Sequence, residues 1–157
     1  MRELEVIGVR IEMPSNQPLV LLREVEGDRY LPIWIGAVEA SAIAFAQQHE
    51  STPRPLTHEL LQRVIESLDQ RLDVVQIDDV SDGVFYATLV FTSGATVSAR
   101  PSDSIALALR MGTRIEAAES VLDEAGMQMP PDEDAEVQKF REFLEEVEPE
   151  DFVQPED

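Results

Sequence analysis

Alternation of apolar and polar residues predicts three β-strands in the first part of the chain. Apolar positions recur over residues 4–11, 19–25 and 30–36, and turn-forming residues separate these runs. Residues 14–18 are rich in Pro, Ser and Asn, and Glu, Gly and Asp occupy residues 26–28. The pattern therefore favours an antiparallel arrangement of three consecutive strands.

After Gly36 the spacing of apolar residues changes to that of a helix. Small and apolar residues between 38 and 46 predict a first helix, and a proline-punctuated loop follows at residues 49–55. Thr57 is the expected cap of a second helix. The apolar stripe of this second helix, which we expect to be buried, consists of Leu60, Leu61, Val64, Ile65 and Leu68.

The second half of the sequence repeats this order. Strand-like runs at residues 72–77, 84–92 and 95–100 precede a helix that starts near Pro101. The segment from Glu39 to Ala44 matches the segment from Asp103 to Ala108 at an offset of 64 residues. This match predicts an internal duplication of a strand-strand-strand-helix unit. Two acids at equivalent helix starts are then expected to approach each other across a pseudo-twofold axis.

The remaining sequence predicts a short helix at residues 115–122 and a boundary at residues 126–131. Beyond that boundary, residues 133–147 have the pattern of an acidic amphipathic helix. We therefore divide the chain into a domain at residues 1–130 and an acidic C-terminal helix and tail at residues 131–157. The predicted fold class is α+β: two related halves form a twisted, mixed or largely antiparallel sheet with helices packed on it. A homodimer is expected, because exposed strand edges need cover.

Composition narrows the function classes. The chain has no cysteine, which excludes disulfides, thiolate nucleophiles and cysteine-ligated zinc. No apolar run is long enough to span a membrane and no secretory signal pattern is present, so we expect a cytoplasmic protein without a membrane partner.

The net charge of −20 is spread over both parts of the chain. Residues 131–157 carry twelve acidic and two basic residues, and thus half of this charge. Such a protein does not attract nucleic acid through its overall field. Binding would require a local basic cleft or bridging divalent cations.

Polar residues gather at the predicted strand-to-helix junctions and form the candidate site. Carboxylates with a nearby histidine are suited to Mg²⁺ or Mn²⁺, and arginines are suited to phosphate, as metal-assisted phosphodiester hydrolysis requires. Glu39 and Asp103 are the expected metal ligands. The sequence has no glycine-rich phosphate loop, and we expect no organic cofactor. The candidate catalytic residues are Glu39, His58, Glu59 and Asp103, and the candidate substrate-binding residues are Arg54, Arg100 and Ser102.

Each of these residues also has a structural interpretation. His58 is either a general base or a surface histidine in the first turn of its helix. Glu39 is either a functional carboxylate or a partner of the helix dipole. Arg54 and Arg100 either bind phosphate or form ion pairs that order the junctions.

Three segments together resemble the bifunctional nuclease domain family. They are residues 31–36 (LPIWIG) with Glu39, residues 53–61 (PRPLTHELL) and residues 99–108 (ARPSDSIALA), and the resemblance covers about residues 1–130. Members of this family are described as having both DNase and RNase activity. The resemblance therefore implies a nuclease acting on DNA or RNA. The alternative is a non-catalytic oligomeric binding or regulatory module, in which the acidic C-terminal helix binds a protein partner.

Overall fold

The first half of the chain is a three-stranded antiparallel meander followed by a helix. The computed structural model describes residues 1–12, 15–49 and 52–128 of the 157-residue chain. The pairing of the strands is antiparallel throughout this half. Its elements are β1 (Arg2–Glu12), β2 (Gln17–Glu24), β3 (Arg29–Trp34) and α1 (Ala37–Gln47).

The second half has the same order of elements. It follows a connecting helix, α2 (Thr57–Ser67), and its strands also pair as an antiparallel meander. Its elements are β4 (Leu72–Ser81), β5 (Val84–Phe91), β6 (Thr96–Ala99) and α3 (Pro101–Met111). Helices α1 and α3 thus begin 64 residues apart, at the offset that the sequence match uses. The duplication itself stays a prediction.

A short strand joins the two meanders into one sheet. This strand, β7 (Arg114–Ala117), pairs in parallel with β4 and antiparallel with β1. It is followed by α4 (Glu119–Ala125) and β8 (Met127–Gln128), which pairs with β3. Across the described residues the strand order is β6-β5-β4-β7-β1-β2-β3-β8. The α+β class and the mixed sheet are therefore confirmed.

The predicted helix at residues 115–122 is wrong in its first part. Ile115 and Ala117 are buried, whereas Arg114 is exposed and Glu116 is half-buried, which is the period of a strand. Hydrogen bonding on both sides of this four-residue segment, to β4 and β1, decides its conformation. Only the later part, from Glu119, is helical. The predicted acidic helix at residues 133–147 lies outside the described residues.

The core lies between the sheet and helices α1, α3 and α4. Helix α1 packs on β1 and β2, α3 packs on β4 and β5, and the two helices pack against each other. Ile43 of α1 and Ile105 and Leu107 of α3 are fully buried there. The small residues predicted for both helices permit this close packing, since Ala40, Ala46 and several alanines of α3 are also buried. In the part of the chain that the structure describes, no helix is long and apolar enough to cross a membrane.

Helix α2 packs less closely than the other two long helices. It contacts α3, and of its own residues only Ile65 is buried. The expectation that Leu60, Leu61, Val64 and Leu68 are buried is therefore wrong. The helix is amphipathic, but its apolar face points beside the core rather than into it. Thr57 is its first helical residue, and Leu56 takes the cap position that the sequence assigns to Thr57.

Candidate active site

The first turns of α1, α2 and α3 converge at one end of the helical layer. Glu39 is the third residue of α1, His58 is the second residue of α2, and Asp103 is the third residue of α3. Arg100 takes the cap position of α3, and Pro101 follows as its first helical residue. Each carboxylate lies where the positive end of a helix dipole stabilises negative charge.

Asp103 is the centre of the cluster. One of its oxygens, Oδ1, lies 2.9 Å from Nε2 of His58 and accepts a hydrogen bond from Nη2 of Arg100 at 3.2 Å. Its other oxygen, Oδ2, accepts a hydrogen bond from Nε of Arg100 at 2.9 Å. Nη1 of the same guanidinium lies 3.6 Å from Oε1 of Glu39. Arg100 therefore connects the two carboxylates that occupy equivalent helix positions. We call Glu39, His58, Arg100 and Asp103 the junction cluster.

The side chains of the junction cluster differ in their exposure to solvent. The side chain of Arg100 is 64% exposed, that of Asp103 is 34% exposed, and that of His58 is 14% exposed. Burial on its own raises the pKa of Asp103, but the hydrogen bonds from Arg100 and His58 outweigh this effect and hold the pKa below its usual value. The hydrogen bond to Asp103 raises the pKa of Arg100. Asp103 is thus an ionised carboxylate that holds the His58 ring in place.

Glu39 lies against Gly36, the residue that precedes α1. The cap residue of α1 is Gly36, and a Cβ built on it would overlap the carboxylate of Glu39. Gly36 has an extended conformation that other residues also adopt. The role of Gly36 is therefore steric: because it has no side chain, the Glu39 carboxylate can lie beside Arg100.

The junction cluster opens onto an apolar groove of about 760 Å³. One wall is α2, with Leu61 and Ile65, and the opposite wall is β6, with Val97. Leu89 and Phe91 of β5 and Leu107 of α3 also line it. All four residues of the junction cluster lie among the groove-lining residues. We call this the α2–β6 groove.

The other predicted site residues are not among those that line the α2–β6 groove. Glu59 forms an ion pair with Arg63 one turn later, at 3.1 Å, and faces a small separate cavity with Arg110. Arg54 is exposed in the loop before α2, where its backbone oxygen accepts a hydrogen bond from the Thr52 hydroxyl. Ser102 is buried in the first turn of α3 and does not line the groove.

Two carboxylates of the junction cluster, Glu39 and Asp103, are the expected metal ligands. Within residues 1–12, 15–49 and 52–128, no three His, Asp or Glu side chains lie close enough to share a metal ion. Glu39 and Asp103 supply the hard oxygen ligands that Mg²⁺ and Mn²⁺ prefer, but the Arg100 guanidinium lies between them. In this structure both carboxylates are therefore partners of a guanidinium.

The apolar groove is the part of the site that sequence reasoning missed. The sequence predicts Leu61 in a buried helix stripe and Val97 in a strand, and both side chains are exposed. The available signal was the strongly amphipathic pattern of α2. That signal needs the three-dimensional arrangement to be interpreted.

Comparison with known proteins gives consistent matches. A family model described as the bifunctional nuclease domain matches residues 20–130, which include every candidate site residue. The chain is 51% identical over 161 residues to "Uncharacterized protein Rv1829" of Mycobacterium tuberculosis strain ATCC 25618 / H37Rv. The same identity relates it to "Uncharacterized protein MT1877" of strain CDC 1551 / Oshkosh. In both cases the alignment covers 97% of this chain and 98% of the relative.

Proposed function

The chain belongs to the bifunctional nuclease domain family, and from this premise we propose that it is a nuclease that hydrolyses phosphodiester bonds of DNA and RNA. The observation that supports this proposal is the contact of His58 with Asp103, 2.9 Å long, at the mouth of the α2–β6 groove. A histidine, an ionised carboxylate and an exposed guanidinium are three groups that phosphodiester hydrolysis uses.

In this proposal His58 is the general base. When its Nε2–H donates to Asp103, the other ring nitrogen, Nδ1, keeps a lone pair that accepts a proton from the attacking water. Asp103 fixes this tautomer and stabilises the imidazolium that forms. Because Asp103 has a lowered pKa, it remains ionised while His58 takes up the proton.

Arg100 is the proposed phosphate-binding residue. Its guanidinium is the most exposed group of the cluster and can form two parallel hydrogen bonds with a phosphate. An incoming phosphodiester gives this side chain a new anionic partner. When Arg100 binds the phosphate, its guanidinium would no longer pair with Asp103 and Glu39.

We also propose Mg²⁺ or Mn²⁺ as the cofactor, with Glu39 and Asp103 as the residues that would hold it. Such an ion would activate water and stabilise the charge that develops on the leaving oxygen. Movement of Arg100 toward the phosphate leaves the two carboxylates available for a cation. Glu59 stays a proposed catalytic residue, and Arg54 and Ser102 stay proposed substrate-binding residues. Glu59 and Ser102 lie in the first turns of α2 and α3, and Arg54 lies in the loop before α2.

The experiment is a cleavage assay with highly purified protein on single-stranded DNA, duplex DNA and RNA, in Mg²⁺, Mn²⁺ or EDTA. His58→Ala and Asp103→Asn should lower the cleavage rate by about 100-fold or more, which is the usual contribution of a positioned acid or base. His49→Asn is the matched control, because His49 is the other histidine, is exposed and has a positive φ of 54° that asparagine tolerates.

The outcomes separate the proposals. Equal cleavage by the control and by both cluster variants would mean that the activity comes from another site or from a contaminant. Cleavage that persists in EDTA and disappears in His58→Ala would support the histidine base and contradict the metal requirement. No cleavage by folded protein on any substrate would contradict the nuclease proposal.

A non-catalytic oligomeric binding or regulatory module is the second candidate. It is favoured by one observation: Arg100 is already paired with two carboxylates in a strongly acidic chain. In this case the junction cluster has a structural role and holds the N-termini of α1, α2 and α3 together. The acidic segment 131–157 then binds a protein partner. Pull-down with the full chain and with a chain lacking residues 131–157 tests this candidate, because an unchanged set of bound proteins would contradict it.

A further inference from the structure

We propose that α2 and the α2–β6 groove form an interface with a second copy of this chain. In this arrangement, the exposed apolar side of α2 from each copy lies in the groove of the other. The interface is independent of whether the junction cluster cleaves nucleic acid.

The convex part of the interface is an apolar ridge on α2. Leu60, Val64 and Leu68 follow one another at four-residue spacing, so they lie on one side of the helix over two turns. Their exposures are 51%, 44% and 67%. A single exposed leucine is ordinary on a protein surface, but a continuous row of three is not.

The concave part is the groove that lies directly beside this ridge. Leu61 belongs to the same helix and forms the groove wall next to the ridge, and Val97 of β6 forms the far wall. Val38, at the start of α1, is 78% exposed at the same groove. Ridge and groove thus form one continuous apolar surface. The groove volume of about 760 Å³ accommodates several leucine-sized side chains.

A ridge and a groove on the same surface favour a second copy as the partner. In a twofold-symmetric dimer each feature is used twice, so one chain supplies both complementary shapes. Six large apolar side chains per copy would contribute to the roughly 800 Å² per partner that a standard interface buries. They are Val38, Leu60, Leu61, Val64, Leu68 and Val97.

The local distribution of charge, rather than the net charge, favours a second copy over the chain's own acidic segment. Two copies with a net charge of −20 each repel, so they associate only through a surface where acids are absent or compensated. Beside the ridge, Glu59 is compensated by Arg63 at 3.1 Å. Residues 131–157 would instead bring a net charge of −10 next to Glu66 and Asp69, which are exposed at the end of α2.

The consequence for the site is that the partner covers the apolar part of the groove next to the junction cluster. Helix α2 carries His58, contacts α3 and has one buried residue, Ile65. Packing against a second copy would fix this helix, and with it the position of the His58 ring relative to Asp103.

The first test is the molar mass of the full chain by analytical ultracentrifugation over a wide concentration range. We expect twice the chain mass of 17.6 kDa for the wild type and a twofold drop to the monomer mass for Val64→Asp. Val84→Asp is the matched control, because it makes the same change at a valine that is 53% exposed at the start of β5 and outside the groove. This control should remain dimeric. Circular dichroism establishes that both variants fold.

Disulfide cross-linking provides a second test that does not depend on disrupting the interface. Because the chain has no cysteine, single cysteines can be introduced by Val64→Cys and Val97→Cys and the two proteins mixed under oxidising conditions. We expect the mixed pair to cross-link faster than Val64→Cys with Val84→Cys. A monomeric wild type at every concentration, a dimeric Val64→Asp, or equal cross-linking of the two pairs would each overturn the proposal. A wild type that is monomeric until residues 131–157 are deleted would overturn it in favour of the acidic segment.

Discussion

A single guanidinium connects two carboxylates at equivalent positions in the two halves of the chain. Glu39 and Asp103 are each the third residue of their helix, but their cap residues differ. In α1 the cap is Gly36, which leaves space, and in α3 it is Arg100, which supplies charge. The two strand-to-helix junctions therefore differ in chemistry. The junction before α1 leaves space for the Glu39 carboxylate, and the junction before α3 supplies the guanidinium that pairs with it.

This asymmetry makes Gly36 a positioning residue for Glu39. Gly36→Ala should push the Glu39 carboxylate away from Arg100, since the new methyl group would overlap it. The backbone at Gly36 is compatible with alanine, so we expect the free energy of unfolding to change by less than about 1 kcal/mol. If the cluster is the active site, cleavage should fall by roughly tenfold, because misplacing a group in a site reduces rate more than stability.

A double-mutant comparison separates positioning from general damage. In a Glu39→Gln background, Gly36→Ala should have little further effect on the cleavage rate, because the group that it displaces has already lost its charge. Additive losses in the double variant would contradict the positioning role. Thermal unfolding of all three variants provides the readout of stability.

The residues of the cluster could be predicted from the sequence because polar groups stand out at strand-to-helix junctions. Glu39, His58, Arg100 and Asp103 were all identified in this way, and the structure brings them together. Glu59 belongs to the same predicted group because it too lies at a helix start, directly after His58. Successive residues of a helix point about 100° apart, so Glu59 faces a different cavity. Adjacency in sequence does not show which side of a helix a residue occupies.

At the scale of elements, amphipathicity predicted that α2 is a helix but not where its apolar face lies. The sequence pattern of Leu60, Leu61, Val64 and Leu68 is that of a buried stripe, yet these residues are exposed. The pattern indicates that this apolar face packs against another surface, but it does not show whether that surface belongs to the same chain.

For β7 the sequence pattern gives no secondary structure, because four residues are too few for a periodic signal. Pairing with β1 and β4 determines that this segment is a strand.

An ion-pair network around the buried Glu24 connects α4 to the strands, and no sequence pattern indicated it. Glu24 of β2 is 2% exposed and accepts hydrogen bonds from Arg2 of β1 and Arg29 of β3. Arg29 also reaches Glu119 and Asp123 of α4, at 2.8 Å and 3.1 Å. The hydrogen bonds from Arg29, reinforced by that from Arg2, lower the pKa of Glu24 to about 2 despite its burial.

We expect Glu24→Gln to lower the free energy of unfolding by about 2–3 kcal/mol at pH 7, because charged hydrogen bonds are lost in a buried site. A lowered pKa stabilises the fold above the ordinary value of 4.5, and this contribution is lost as pH falls toward 2. The difference between wild type and variant should therefore be complete near neutral pH and shrink in acid. Urea unfolding at several pH values measures it.

The control for this experiment is Glu26→Gln. Glu26 is an exposed acid two residues away, and only its backbone oxygen accepts a hydrogen bond from Arg2. This substitution should leave the free energy of unfolding nearly unchanged. A constant difference between Glu24→Gln and wild type across the whole pH range would contradict the ion-pair account.

At the scale of the whole molecule, one four-residue strand unites two halves that each have their own meander. Without β7, the strands of the first half and those of the second half would form separate sheets, since β1 and β4 do not pair directly. Ile115 of β7 lies opposite Leu4 on β1 and Val75 on β4. All three side chains belong to the main core cluster.

This arrangement predicts that the described domain unfolds as one unit and that Ile115 controls its cooperativity. Ile115→Ala should lower the free energy of unfolding by about 2–4 kcal/mol, which is typical of a truncated core side chain. Ile11→Ala makes the same change at an exposed position of β1 and should lower the free energy of unfolding much less.

Cooperative unfolding is tested with two spectroscopic signals. Trp34, the chain's one tryptophan, reports on β3 in the first half by fluorescence, whereas circular dichroism reports on both halves. For the wild type the two urea transitions should coincide. If they separate in the wild type, the halves fold independently, and β7 does not couple them.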